Sequence, residues 1–180
     1  MQKMTSTEKE FICQIEKHKG IIFKISKMYM DNKDDCDDLF QEIMYQAWKS
    51  YAGFRGESEF STWLYRIALN TAIMFLKSDK KRSFIAREDF TDYKIIQDDY
   101  DHEKEEKLSE MYAAIHQLSS IDKAFIFYYL EDFSRKEIAE QMGISEGNVR
   151  VKMNRAKNKL KDILNSKPSN LKKTTLNQPS

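Results

Sequence analysis

Apolar residues recur along most of this 180-residue chain every three to four positions, the spacing of one face of an α-helix. A clear stripe lies between about Asp34 and Ser50, formed by Leu39, Phe40, Ile43, Met44, Ala47 and Trp48. Similar spacing predicts helices over about 8–30 and 59–77. The inward positions of the latter are Phe60, Trp63, Leu64, Ile67, Ala68, Thr71 and Phe75. With only 5 Gly and 2 Pro, the chain has too few turn formers for an all-β fold, so we predict an all-α fold.

The C-terminal half continues this helical pattern. A helix is predicted over about 107–118, and the run IDKAFIFYYLE after it is apolar nearly all round, which predicts a buried helix. Ser134 and Glu137 have the spacing of a capping box, and Gly143 permits a left-handed turn. Ser145 can then cap a last helix, whose inward stripe is Val149, Met153, Ala156 and Leu160. These features predict a helix-turn-helix.

The helix-turn-helix, at about 134–153, leads into a helix whose polar face consists of amides and cations. Outside the inward stripe, this helix carries Asn148, Arg150, Lys152, Asn154, Arg155, Lys157 and Lys159. Such groups suit base edges and phosphates, and no acidic residue occurs between Glu146 and Asp162. A merely solvated cationic helix is the alternative. The capping box, the glycine turn and the absence of acids near the expected phosphates together favour DNA binding.

Charge divides the chain into blocks, although the formal net charge is only +1. Six acids and one lysine lie between Asp31 and Glu42, and ten acids and three lysines between Glu88 and Glu110. The second block has weak apolar periodicity, so we predict an acidic flexible linker over about 80–106. It would join two small helical domains, over 8–79 and 107–165, and a polar tail over 166–180 is predicted to be disordered.

Several classes of function find no support in the sequence. Cys13 and Cys36 form no metal-binding or disulfide pattern, and we expect both to be reduced and near a helix core. His18, His102 and His116 are far apart and fit neither a metal site nor a catalytic triad, so neither a cofactor nor an enzymatic activity is predicted. The N-terminus lacks the apolar stretch of a signal peptide, and no run is long enough to span a membrane. We therefore expect a cytoplasmic protein with no membrane insertion.

Two stretches of the chain resemble a known family. In the N-terminal half, DDLFQEIMYQAW and YAGFRGESEFSTWLYRIALNTAIMFLK resemble region 2 of the extracytoplasmic-function (ECF) subfamily of sigma-70 RNA polymerase sigma factors. In the C-terminal half, AIHQLSSIDKAFIFYYLEDFSRKEIAEQMGISEGNVRVKMNRAKNKLK resembles region 4 of the same subfamily. The resemblance implies a factor that binds core RNA polymerase and directs promoter recognition and DNA melting at transcription initiation.

The resemblance also implies a polymerase-binding surface on the second helix. The matching residues are Asp37, Asp38, Leu39, Gln41, Glu42 and Trp48. An acidic, partly apolar helix face can dock on a helical partner. The alternative for Leu39 and Trp48 is that they belong to the core.

Promoter contacts are implied in both halves. For the −10 element, the resemblance implies three groups of contacts. The loop that captures a flipped base consists of Arg55, Gly56, Glu57, Ser58 and Phe60. The outer face of the third helix contributes Arg66, Asn70, Ile73 and Lys77, and a basic extension contributes Lys80, Lys81 and Arg82. For Trp63 we favour core packing over base stacking. For the −35 element, the implied contacts are Arg135, Lys136, Ser145, Asn148, Arg150, Lys152, Asn154, Arg155 and Lys157. Many members carry Thr at position 148 and a basic residue at 158, where this chain has Asn148 and Asn158, so the base preference stays open.

The implied partners are core RNA polymerase, promoter DNA and an anti-sigma factor, with the free factor expected to be a monomer. The main alternative is a stand-alone helix-turn-helix transcriptional regulator whose N-terminal half senses a signal or dimerises. Such a regulator would bind duplex DNA tightly without polymerase, usually as a dimer on a palindrome.

Overall fold

The structure is a computed structural model that describes the backbone of residues 5–82 and 102–166 and the side chains of 5–77 and 106–166. Within these residues it contains helices and no strand, which confirms the all-α prediction. The seven helices are α1 (Ser6–Tyr29), α2 (Lys33–Tyr51), α3 (Phe60–Arg82), α4 (His102–His116), α5 (Ser120–Leu130), α6 (Arg135–Met142) and α7 (Glu146–Ser166).

The first three helices pack on one another around an aliphatic core. Thr5 caps α1 through a capping box with Glu8, and the Asn32 side chain caps α2 by accepting from the backbone N–H of Asp35. The fully buried side chains here include Ile22, Ile25, Leu39, Ile43 and Leu64. Burial of each stabilises the fold by about 1.5–3 kcal/mol relative to exposure. Cys36 is also buried, whereas Cys13 is exposed, so a place near the core is confirmed for Cys36 alone.

An aromatic cluster closes one end of this unit. The Trp48 ring lies 5.1 Å from that of Phe11, and the Phe54 ring lies 5.1 Å from that of Trp63. The buried Phe60 ring is 5.2 Å from Trp63. These rings join the ends of α1, α2 and α3, so the short loop between α2 and α3 rests on a rigid base. The predicted core packing of Trp63 is confirmed by these contacts.

In the C-terminal unit, α4, α5 and α6 all pack against α7. Residues Asp122 to Tyr128 of α5 are all buried, as the apolar run predicted. Two helix ends differ from the prediction. The third helix continues to Arg82 and α4 begins at His102, so the expected linker starts inside one helix and ends inside the next. Local helix propensity continues through these charged ends, which apolar spacing alone does not mark. Residues 83–101 and the tail from 167 lie outside the described residues.

The two helical units contact each other directly, which the prediction of two units joined by a tether did not include. The Tyr29 hydroxyl donates to the Ser120 carbonyl oxygen at 2.7 Å, and the Tyr65 hydroxyl donates to Glu131 Oε2 at 2.9 Å. Lys24 Nζ lies 2.9 Å from the other Glu131 oxygen. Glu131 therefore links α5 to both α1 and α3.

Candidate nucleic-acid interface

The helix-turn-helix has the caps that the sequence predicted. The Glu137 backbone N–H donates to Ser134 Oγ at 3.3 Å, and the Ser134 backbone N–H donates to Glu137 Oε2 at 2.8 Å. These bonds hold the pKa of Glu137 below its usual value. Gly143 has φ 65° and ψ 36°, and the Asn148 backbone N–H donates to Ser145 Oγ at 3.3 Å. The turn and both helix starts are thus specified by local chemistry.

The last helix, α7, separates its buried stripe from its polar face. Val149 and Ala156 are fully buried, and Met153 and Leu160 pack against the same core. Most of the predicted −35 residues are exposed: Arg135, Lys136, Ser145, Asn148, Arg150, Lys152, Asn154 and Arg155. The face opposite the core is consequently free to enter a major groove.

Two lysines near the middle of α7 point toward α5. Lys157 Nζ lies 3.5 Å from the centre of the Tyr129 ring, so this predicted −35 residue is engaged in a cation–π contact. Lys159 Nζ forms an ion pair with Asp122 Oδ2. Ser119 Oγ also donates to this carboxylate, at 2.8 Å. The pair joins α7 to the start of α5.

The environment of Asp122 favours its charged form. Burial alone would raise the pKa of this carboxyl group, but the hydrogen bonds from Lys159 and Ser119 and the charges of Lys159 and Arg155 outweigh it and lower the pKa. The side chain is only 10% exposed, so it is shielded from solvent. The carboxylate therefore holds the middle of α7, the helix that carries most of the predicted −35 residues, against the start of α5.

The loop between α2 and α3 presents four of the five residues that the sequence assigned to the −10 pocket. Arg55, Gly56, Glu57 and Ser58 are all exposed, and Gly56 has a φ of 70° that favours glycine. Phe60 is instead buried in the aromatic cluster. Ring packing covers this side chain, which argues against the predicted direct contact with a base. Phe60 supports the loop from below.

The outer face of α3 differs from the prediction at one position. Arg66, Asn70 and Lys77 are exposed as expected, but Ile73 is 7% exposed and belongs to the core. Its apolar side chain packs inward because position 73 lies one turn after the buried Leu69. Met74, which the sequence reasoning did not single out, is 65% exposed on the outer side. Lys80, Lys81 and Arg82 have side chains outside the described residues.

On α2, the acidic residues are accessible and the leucine is not. Asp37, Asp38 and Gln41 are exposed, Glu42 is half-buried, and Trp48 is 42% exposed while its ring contacts Phe11. Leu39 has no exposed surface, which argues against the predicted direct polymerase contact by its side chain. The core alternative holds for Leu39 because it lies one turn before the fully buried Ile43, on the inward face.

A groove between α2 and α3 connects two of these predicted surfaces. Glu42 of the expected polymerase surface and Asn70 of the expected −10 surface both line it, and Met74 adds an exposed apolar side chain. Its other lining residues are Gln46, Ser50, Ile67, Thr71 and Phe75. The Gln46 amide donates to Glu42 Oε1 at 2.8 Å, so a hydrogen bond joins two of the lining residues.

Comparison with known proteins identifies the two units. Residues 14–82 match the family Sigma-70 region 2, and residues 108–160 match Sigma-70, region 4. The chain is 32% identical over 161 residues to the ECF RNA polymerase sigma-E factor of Haemophilus influenzae, covering 83% of this chain and 85% of that one. The chain belongs to the ECF family of RNA polymerase sigma factors. Its function is that of a sigma factor, which binds core RNA polymerase and directs promoter recognition and DNA melting at transcription initiation.

Other relatives agree with this membership. The sigma factor is 30% identical over 157 residues to the RNA polymerase sigma factor SigV of Bacillus subtilis, covering 87% of this chain and 92% of the relative. These relatives support the sigma factor and not the alternative of a stand-alone regulator.

Solved structures share the fold. The sigma factor RpoE of Bartonella quintana, solved with the anti-sigma factor NepR, superposes with a TM-score of 0.66 at 20% identity, covering 89% of this chain and 99% of that chain. CnrH, solved with the cytosolic domain of CnrY, superposes with a TM-score of 0.62 at 19% identity, covering 88% and 89%.

Two other kinds of feature are absent from the described residues. In the described part of the chain, no group of three or more His, Cys, Asp or Glu side chains is placed to hold a metal ion. Among the same residues, no helix combines the length and apolar character needed to cross a bilayer.

Proposed function

We propose that this sigma factor divides its tasks among three separate exposed surfaces. The acids of α2 contact core polymerase, the loop of residues 55–58 with the outer face of α3 contacts −10 DNA, and the polar face of α7 contacts the −35 element. The observation that carries the proposal is the helix-turn-helix: a capped turn leads into α7, which presents amides and cations opposite its buried stripe, with no acid between Glu146 and Asp162. The factor acts without a catalytic residue, and we place it in the cytoplasm as a monomer when free.

The proposed polymerase surface consists of Asp37, Asp38, Gln41 and Glu42, with Trp48 at its apolar end. It is exposed on a helix whose inner face is fixed by Leu39 and Ile43. A rigid helix with an acidic, partly apolar face suits docking on another helix. Leu39 contributes by holding α2 in place.

The proposed −10 surface consists of the exposed loop and the neighbouring positions on α3. A flipped base costs a few kcal/mol to extrude, so the groups that receive it must be held in place beforehand. Gly56 turns the chain there, and the aromatic cluster under Phe60 supports the loop. Arg55, Glu57 and Ser58 are free to contact the base or its phosphates.

Promoter binding also requires the two units to separate. The −10 and −35 elements lie about 25 base pairs apart, which is about 85 Å along B-DNA at about 3.4 Å per base pair. In the structure, the Tyr65 ring lies 5.2 Å from that of Phe133. Tyr65 adjoins Arg66 of the −10 surface, and Phe133 is two residues from Arg135 of the −35 surface. We therefore propose that the contacts around Glu131 open when the factor engages polymerase and promoter.

An anti-sigma factor is the proposed regulator. The sigma factor RpoE of Bartonella quintana, which shares the fold, was solved in complex with the anti-sigma factor NepR. An anti-sigma factor that covers the α2 surface or stabilises the packed arrangement would keep this chain from polymerase. A pull-down of the tagged full chain from its own cells should recover core polymerase and such a partner.

Three variants of the full chain test the division of tasks. The probe is a promoter selected from a randomised duplex library with core polymerase and the wild-type chain. Asp38→Lys with Glu42→Lys should weaken core binding, whereas Glu110→Lys, an exposed acid on α4, should not. Glu57→Ala with Ser58→Ala should leave core binding intact and reduce open complexes, measured by permanganate reactivity of unpaired thymines. A pre-melted bubble should restore that activity.

The third variant, Arg150→Ala, should change the preferred −35 sequence at one position while DNA melting on a bubble template stays normal. Loss of one base-reading contact is worth about 1–3 kcal/mol. The assignment of −10 residues is wrong if the loop variant melts duplex promoter as well as the wild type. The assignment of α7 is wrong if neither Arg150→Ala nor Arg155→Ala alters −35 preference.

A further inference from the structure

One apolar residue stands on the polar face of α7 without a role in packing. Val151 is 62% exposed, between the exposed Arg150 and Lys152. With about 100° of rotation per residue, it points about 200° away from the fully buried Val149, so it lies opposite the core. Valine is also a poor helix former, because its branched side chain loses rotamer freedom. Neither core packing nor helix propensity explains its presence there.

A second unexplained residue lies one turn earlier on the same face. Gly147 is exposed in the first turn of α7 and has no positive φ. An added Cβ would meet only Ser145 Oγ, at 3.9 Å, so no neighbouring helix requires a glycine. Within a helix, glycine is about 1 kcal/mol less favourable than alanine. Gly147 therefore leaves the backbone of the first turn uncovered by a side chain, and Val151 places two methyl groups one turn later on the same face.

We propose that Val151 reads the 5-methyl group of a thymine in the −35 element, with Gly147 allowing the base edge to approach the start of α7. In the major groove, thymine is the base that presents a methyl group, and small apolar side chains recognise it by contact. Val151 is held in essentially one rotamer by its helix, so its two methyl groups have a defined position. The exposed Arg150, Asn154 and Arg155 around it supply the polar contacts to neighbouring bases and phosphates.

The inference rests on the proposed placement of α7 in the −35 major groove and adds a specific chemistry to it. It accounts for an apolar side chain where every neighbour on the exposed face is polar, charged or glycine. A polymerase contact would be the other use of this side chain, and the test separates the two.

The experiment uses the full chain with core polymerase. A duplex library with a randomised −35 element is first selected with the wild-type chain. Each thymine of the selected element is then replaced by uracil, which lacks only the 5-methyl group, and binding is measured by competition. We expect one thymine at which uracil weakens wild-type binding about fourfold, the equivalent of about 0.8 kcal/mol for one buried methyl group.

The variant Val151→Ala should bind the thymine and uracil duplexes equally, while Val151→Thr, which keeps one methyl group at the same branch, should retain part of the difference. Leu164→Ala, another exposed apolar residue of α7, is the matched control and should discriminate like the wild type. Gly147→Ala should weaken binding to both duplexes alike. All four variants should bind core polymerase like the wild type.

The proposal is overturned if no uracil replacement affects the wild type, if Val151→Ala keeps the discrimination, or if that variant loses affinity for core polymerase. The broader assignment of α7 is tested separately by Arg150→Ala and Arg155→Ala. If those variants alter −35 preference while Val151→Ala does not, only the methyl contact is wrong.

Discussion

The two helical units differ in how well the sequence separates their proposed contact residues from their core residues, and the separation is clearer in region 4 than in region 2. In region 4, most of the proposed contacts are cations and amides, and most of those on α7 are exposed, away from its buried stripe. In region 2, three residues expected to contact a partner are buried: Leu39, Phe60 and Ile73. Apolar side chains serve both packing and docking, so a surface that uses them cannot be separated from the core by residue type. Charged side chains are seldom buried without a partner.

The units also differ in what holds their key helices. Region 2 relies on a continuous aliphatic and aromatic core, from Ile22 to the ring cluster at Trp63. Region 4 holds α7 with fewer buried side chains and adds the ion pair of Asp122 with Lys159. We therefore expect the stability of region 2 to fall most when the volume of a buried side chain is reduced, and that of region 4 to fall most when a charge is removed. The following changes test that contrast, from the largest expected effect to the smallest.

Leu39→Ala should lower the free energy of unfolding by about 2–5 kcal/mol, because it leaves a cavity in the core of region 2. Urea denaturation followed by circular dichroism measures the change. Asp38→Ala, next to it but exposed, should alter stability by less than about 0.5 kcal/mol. If Leu39→Ala kept full stability and lost only polymerase binding, Leu39 would be a contact residue after all.

Asp122→Asn should lower the free energy of unfolding by about 1.5–3 kcal/mol at pH 7, the usual worth of hydrogen bonds to a charged group. Because the pKa of Asp122 is lowered in the folded state, its contribution is fully present above the ordinary pKa of 3.8 and is lost as the pH falls through the lowered value. The stability gap between wild type and variant should therefore narrow in acid.

Denaturation of both proteins at pH 7 and at pH 3 or below tests this linkage. Lys159→Met should show a similar loss at pH 7, and the double variant should lose less than the sum of the two single variants. Glu110→Gln, an exposed acid on α4, is the control and should show no gap. If the difference in free energy of unfolding between wild type and Asp122→Asn stayed constant with pH, the Asp122 side chain would act through its shape and not through its charge.

Tyr65→Ala should weaken the contact between the units by about 1–2 kcal/mol. It removes the hydrogen bond to Glu131 and the ring contacts with Phe127 and Phe133. Small-angle X-ray scattering should show a larger radius of gyration, and promoter binding with core polymerase should improve. Tyr65→Phe keeps the rings and should have a smaller effect. Unchanged scattering would show that other contacts suffice to hold the units together.

Asp132→Gly should raise the free energy of unfolding by about 0.5–1 kcal/mol, because glycine adopts left-handed backbone without steric cost. Asp132 has φ 55° and is exposed just after the C-terminal end of α5, where a negative charge is also unfavourable. Gly143→Ala, at φ 65°, is the opposite case and should be destabilising. A loss of stability in Asp132→Gly would indicate a favourable contact of the carboxylate.

Most of the local architecture was predictable because short-range rules govern it. The capping box at Ser134, the left-handed Gly143 and the buried stripe of α7 follow from residues within one or two helical turns. The ends of α3 and α4 were less predictable, since both continue into charged segments that lack apolar spacing. The polar face of α7 follows from the same periodicity, while its assignment to the −35 element comes from the resemblance to region 4. Val151 was not predicted to lie on this face because it is apolar.

By itself, the sequence determined the helical class, the helix-turn-helix and the family, because these depend on periodicity, caps and motifs that lie close together along the chain. Only the tertiary structure decided which apolar residues of region 2 are core and which are exposed, since helices α1 to α3 share the burial of these faces. It alone showed that Lys159 pairs with Asp122 and that Glu131 joins Tyr65 and Lys24. Such contacts join residues far apart in sequence, and their formation depends on how whole helices pack.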